Sequence, residues 1–297
     1  MIVMVRRTAF ALGSLALALS GAGCGSADPT GSGGEGTLLF TTWGEEYIED
    51  AIPADPGDGS GLVDGWTVSY DKFLVNFQNI VVADARGDTA ASMQSSMLFD
   101  NTQPGVKAIV SFGPIPAQAW DRVSYEIAPV TASTELASGV PEADKELMLT
   151  GGYSLYASGA ATKGDVQKRF AWGFSTATRY EECRSEQGGR EEAGVIVTNN
   201  ASVEVELTTH GDHFFYDRLQ ASPDPSLATS LRFDALAEAD ADADGEITLA
   251  ELEATPLDVR LYDPSGLGAV NHGAFITSLA RTVGHFRGEG ECTVRGL

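Results

Sequence analysis

Six oxygen-bearing residues are spaced through positions 240–251: Asp240, Asp242, Asp244, Glu246, Thr248 and Glu251. A hard cation such as Ca²⁺ takes six to eight oxygens, and a twelve-residue loop supplies them from its positions 1, 3, 5, 7, 9 and 12. In this register each Asp offers a carboxylate oxygen, Glu246 its backbone carbonyl, Thr248 a direct or water-mediated contact, and Glu251 both side-chain oxygens. Gly245 falls at position 6, where the chain must turn sharply with positive φ, a conformation glycine adopts without steric cost.

The stretch resembles the EF-hand loop at all of its diagnostic positions. The resemblance implies a Ca²⁺ ion held by those six residues, with Ile247 pointing inward to pair with a partner loop. An acidic helix start or a solvated run of Asp and Ala would share the composition but not the register. Around the loop, 226–239 reads as a helix that sets Leu231, Phe233, Leu236 and Ala239 near one side, and 249–253 begins an exit helix cut short by Pro256. A second loop starting at Asp263 keeps Gly268 and Val270 at the matching positions, but Leu267 and Ala274 replace two ligands. That loop is expected to pair through Val270 with Ile247 without holding an ion, and 273–286 to form the last helix. Met occurs only at 1, 4, 93, 97 and 148, so the Met-rich groove of a calcium sensor is missing, and a Ca²⁺ that locks the fold is the expected role.

Histidine forms a second constellation. All four lie late: His210, His213, His272 and His285. His210 and His213 close a strand whose polar face also carries Glu204 and Glu206. Imidazole suits Zn²⁺ and Cu²⁺, so His210, His213 and one later histidine make an alternative, transition-metal site. On one straight helix His272 and His285 would sit about 220° apart and could not share an ion. The same two residues, His210 and His213, would otherwise mark a seam between two parts of the fold.

The formal charge of −23 repels nucleic acid and anionic membrane surfaces and attracts cations. No Gly-x-Ser-x-Gly elbow, phosphate loop or His-Glu-x-x-His helix is present, so catalysis is not expected.

Arg6 and Arg7, the apolar run 9–19 and the small residues before Cys24 read as an export signal over 1–23, too short to span a membrane as a helix. The arrangement is similar to a bacterial lipoprotein signal, which implies that Cys24 is acylated and anchors the protein in the cell envelope. It departs from that pattern at Gly21, where an aliphatic residue is usual. Residues 24–36 are Gly/Ser-rich and read as a flexible tether. With Cys24 set aside, Cys183 and Cys292 remain as an even pair, expected to form a disulfide in an oxidising compartment.

Between these regions the chain alternates like strands. Over 65–83, Trp66, Val68 and Tyr70 share one parity, Phe73, Val75 and Phe77 the other, and Ile80 and Val82 return to the first. Two parity changes imply bulges near Asp71-Lys72 and Gln78-Asn79, in a strand able to serve two sheets. Within 68–83 the run from Phe73 to Ile80 is similar to the opening strands of sandwich lipoproteins associated with methanobactin, some of which bind copper; the likeness implies a sandwich and carries no ligand. Further strands are expected at 37–43, 107–112, 123–127, 147–156, 169–180, 195–198 and 202–209, with a hairpin turn at Asn199-Asn200.

Together these observations predict an antiparallel β-sandwich over 37–216, followed by a small α-helical EF-hand module over 223–291. The expected function is Ca²⁺ binding by an exported, lipid-anchored protein. The alternatives are a periplasmic Cu/Zn binder and an adhesion or scaffold module stiffened by Ca²⁺.

Overall fold

The strand Thr67–Ala83 runs through the middle of the molecule, and its register explains the sheet around it. In a computed structural model, which describes residues 33–219 and 228–297, its register shifts between Tyr70 and Lys72 and again beyond Gln78. Asn79 adopts φ +50 at the second shift. These are the two parity changes of the sequence. The bulges turn the strand so that one edge is shared: Thr67–Val75 pairs with the strand Leu155–Lys163, and Phe77–Ala83 with the strand Arg122–Ile127. The opposite edge pairs with Thr89–Asp100. Over Phe73–Phe77 both faces are buried as a result. Phe73, Val75 and Phe77 enter the main core, while Leu74 meets Leu98, Val130, Val140 and Met148 in a second cluster.

Met148 belongs to the helix Glu142–Gly151, where sequence alternation predicted a strand over 147–156. The helix ends on Gly152 in the left-handed conformation at φ 64, a common C-terminal stop, and only Leu155 onward is strand. The turn at Asn199-Asn200 is also not a hairpin. Val195–Ile196 pairs with Ala119–Trp120, whereas Ser202–Thr209 pairs in parallel with Glu35–Trp43.

Two sandwich-like sheets result, beside the two-stranded pair of Val195–Ile196 and Ala119–Trp120. The smaller has the order Gly284–Phe286, Ser202–Thr209, Glu35–Trp43, Lys107–Pro116; the larger curls through ten strands. The sheets are mixed rather than antiparallel throughout.

The predicted helical EF-hand module is not found. Among the described residues, the helices on either side of the 240–251 loop are Asp234–Ala237 and Leu249–Ala254, of four and six residues. The predicted helix 273–286 is His272–Leu279, after which Gly284–Phe286 is a strand of the small sheet. Ile247 does not pair with Val270, which is 76% exposed; it pairs in parallel with Phe170 of the large sheet. The physical reason is apolar content. Leu236, Ile247, Leu252, Phe275, Ile276 and Leu279 are fully buried in the same cluster as Phe40, Phe77 and Trp172. Each large side chain so placed contributes about 1.5–3 kcal/mol, which helices this short gain only by packing on the sheets.

The chain then closes on itself. Glu291–Gly296 pairs with Thr178–Gln187, and Cys183 and Cys292 are disulfide-bonded across that pair, with Cα atoms 4.0 Å apart and a sequence separation of 109. In the chain-entropy account a bridge closing about 100 residues contributes about 4.7 kcal/mol. No helix among the described residues is long and apolar enough to cross a membrane. Residues 1–32, with the export signal, Cys24 and most of the tether, lie outside the described residues, as do 226–227 of the predicted helix.

Candidate metal centres

Three histidines converge at one edge of the small sheet, where Gly284–Phe286 pairs with Ser202–Thr209. His210 follows the strand Ser202–Thr209, and its backbone N–H donates to Val283 O at 2.9 Å. His213 rides on the 3₁₀ turn Asp212–Phe215, which is pinned by Phe214 and Phe215 packing on Trp172, each ring pair 6.3 Å apart. His285 sits on the neighbouring strand, paired with Thr208. Glycine permits the approach: a Cβ on Gly211 would lie 2.7 Å from Ile48, and one on Gly284 would lie 2.8 Å from the Tyr125 hydroxyl.

The imidazole centroids are 4.0 Å apart for His210 and His285, 5.1 Å for His213 and His285, and 5.5 Å for His210 and His213. One ligand atom from each lies within 4.8 Å of the others, and all three residues are at most 6% exposed. His213 Nε2 and His285 Nδ1 are buried without a hydrogen-bond partner, whereas His210 Nε2 faces the Glu45 carboxylate. An unpartnered buried polar atom is costly, so two in one place call for an explanation.

The hydrogen bonds fix one tautomer. The Thr282 hydroxyl donates to Leu279 O at 2.8 Å, so its oxygen must accept from His213 Nδ1–H, also at 2.8 Å. His213 Nε2 is then left with its lone pair, the form that binds a metal, and the Thr282 contact orients the ring as outer-shell partners do. Burial holds His213 well below the ordinary histidine range and, with repulsion from His210, takes His285 down to about 3, so both are neutral at pH 7. His210 behaves differently. Burial disfavours its protonation, but Glu45, whose Oε1 lies 2.9 Å from Nε2, together with Asp212 and Glu289, raises its pKa. Burial lifts Asp212 to about 6 against the pull of His210 and of the Tyr216 hydroxyl, which donates to it at 3.0 Å. A cavity of about 510 Å³ opens on His213 and His285, with Thr282 and Glu291 on its wall.

His272 stands apart, its ring edge-on to Tyr262 at 4.9 Å. The sequence placed His272 and His285 on one helix and left open which of them joins His210 and His213. The alternation Val283-Gly284-His285-Phe286, with Val283 and Phe286 fully buried, was the strand signal available.

The acidic loop makes a second centre of another kind. Ligand atoms of Asp240, Asp242 and Glu251 lie within 4.8 Å of one another. Asp240 Oδ2 accepts from Gly245 N at 3.0 Å, with Gly245 at φ 87 as position 6 requires. Asp240 Oδ1 is buried and unpartnered. Asp244 instead turns to its own backbone, accepting from Glu246 N at 2.7 Å, and Glu246 lies in the sheet beside Arg169. Thr248 and Glu251 form a capping box at the start of the helix Leu249–Ala254, with Thr248 Oγ1 donating to Glu251 Oε2 at 2.8 Å and Ala241 N donating to Oε1 at 3.1 Å. Those two residues therefore serve the helix whether or not an ion is bound. The loop's donor set fits Ca²⁺ at Asp240, Asp242 and Glu251, and Asp240 Oδ1 is the atom without another task.

Comparison with protein families, with characterised proteins and with solved structures finds no match for this chain.

Proposed function

We propose that the protein binds a transition-metal ion, Zn²⁺ or Cu²⁺, through His210, His213 and His285. The observation that carries this reading is three buried imidazoles that each bring a ligand atom within 4.8 Å of the others, two of them with a buried ring nitrogen that has no partner. Two of the rings are neutral by burial, and the absence of a thiol from the group favours ions that imidazole suits. Three protein ligands beside a cavity leave a coordination position for an exogenous ligand. The test is elemental analysis of protein dialysed against a weak chelator. One equivalent of Zn or Cu retained by the wild type and lost on His213→Ala supports the reading, and no retained metal in the wild type refutes it.

A second reading is favoured by Asp240 Oδ1. The 240–251 loop binds Ca²⁺ and stiffens the junction of loop and large sheet, with an affinity in the range of extracellular modules, about 10⁻⁴–10⁻³ M. Calorimetric titration with Ca²⁺ tests it, and an unchanged isotherm for Asp240→Ala would sink it. The export signal and the Cys183–Cys292 bridge support a place for both ions outside the cytosol, in the cell envelope and anchored at Cys24.

A further inference from the structure

In the 240–251 loop the cation beside Asp240 belongs to the protein. Lys168 Nζ, from the strand Val166–Phe174, forms an ion pair with Asp240 Oδ2; the Asp240 side chain is 0% exposed and that of Lys168 is 19% exposed. The other oxygen of that carboxylate, Oδ1, is buried with no partner. The strand grips the loop at successive residues: Arg169 N donates to Gly245 O at 2.8 Å, Phe170 pairs with Ile247, and Trp172 Nε1 donates to Ile247 O at 2.8 Å. The backbone of the loop is therefore held in its turn by the sheet, with an ammonium on its first acidic residue.

We propose that Lys168 is a tethered cation that keeps Asp240 in place when calcium is scarce and sets the calcium affinity of the loop low. The inference rests on the calcium reading above. Calcium affinity in such loops follows ligand charge, and a fixed ammonium cancels one unit of it at the first ligand. Ca²⁺ held by Oδ1 would lie within a few ångström of the ammonium on Oδ2. At that separation two like charges repel appreciably even with strong screening, enough to weaken binding by about tenfold or more. The same ammonium removes the cost of burying Asp240 alone, so the loop does not depend on calcium to fold. The pairing suits a site that fills only where Ca²⁺ is abundant.

Lys168→Gln keeps the length and polarity of the side chain and removes its charge. In the full chain, calorimetric titration with Ca²⁺ is expected to show the Kd of Lys168→Gln falling by about tenfold, while Lys168→Arg stays near the wild type. Melting in chelator is expected to drop for Lys168→Gln, and saturating Ca²⁺ to restore most of the loss. A variant that folds only with Ca²⁺ added would show the ion doing the work of the ammonium, and so supports the proposal. Unchanged or weaker Ca²⁺ binding by folded Lys168→Gln overturns it while leaving the calcium site intact. A Lys168→Arg protein whose affinity differs greatly from the wild type also overturns it. Absence of Ca²⁺ binding in the wild type and both variants removes the calcium reading itself, and the proposal with it.

Discussion

The histidine centre and the acidic loop differ in how their polar atoms are satisfied. In the loop nearly every carboxylate oxygen that faces the backbone has a donor: Gly245 N for Asp240, Glu246 N for Asp244, Thr248 and Ala241 for Glu251. The short loop supplies its own partners, and one strand supplies the rest. In the histidine centre the rings have few partners: Glu45 meets His210 and Thr282 meets His213, while His285 Nδ1 has none. A contiguous motif can thus be built to hold its shape without an ion, whereas a site assembled from distant segments leaves its donors facing one another. The second is the stronger sign of a bound metal, although the first is far easier to see in a sequence.

If the two centres rest on different supports, they should fail separately. The largest effect is expected from Cys183→Ser with Cys292→Ser. Loss of the bridge costs about 2–5 kcal/mol in urea unfolding, and it loosens the Glu291–Gly296 strand beside the His285 cavity more than the loop. Metal retention falling in that variant while the calcium isotherm holds would uphold the separation; the reverse would break it. His285→Ala is expected to lower Zn²⁺ or Cu²⁺ affinity by at least about a hundredfold, read by competition with a chromophoric chelator, and to leave calcium untouched. Thr282→Val removes the acceptor of His213 Nδ1–H and should cost about tenfold in the same assay. On the other side, Trp172→Phe keeps the ring packed on Phe214 and Phe215 but deletes the donor to Ile247 O. A loss of about 1 kcal/mol in unfolding is expected, with calcium binding weakened and metal retention at the histidines unchanged.

The smallest effect lies away from both centres. Burial would raise the pKa of Glu126, but Arg179, Asn79 and Gln78 outweigh it and hold the carboxyl below its usual 4.5. Because the folded value is depressed, Glu126 adds stability above pH 4.5 that is lost as the pH falls through the folded value. Acid unfolding of Glu126→Gln should lack that part of the slope, and an identical acid limb would show that the cluster adds nothing.

Much of the sheet could be read from residue order because burial there follows parity. The two shifts in Thr67–Ala83 were visible as a change in which of Tyr70, Phe73, Phe77 and Ile80 shared a face. The Cys183–Cys292 pair followed from cysteine number and the expectation of an oxidising compartment. The helix Glu142–Gly151 was hidden because its apolar residues, Leu147, Met148 and Leu149, are consecutive, and only Met148 is fully buried. The acidic motif fixed a local turn but not the company it keeps. Its register gave no warning that Ile247 would join Phe170, so a separate helical module was expected where the chain returns to the sheets. A third, later histidine was expected, but which one was illegible: His285 reaches His210 through strand pairing across a long stretch of sequence, and no local pattern encodes that meeting.

The return of Gly284–Phe286 to the small sheet also orders events in time. A growing or translocating chain that has delivered His210 and His213 has only two of the three imidazoles, and the third arrives once the segment through Phe286 has emerged and docked. On the reading that the three histidines hold a metal, loading would then follow folding of that strand. The ion would be acquired from whatever pool surrounds the finished fold, and the composition of that pool, as much as the geometry of the rings, decides which element is taken up.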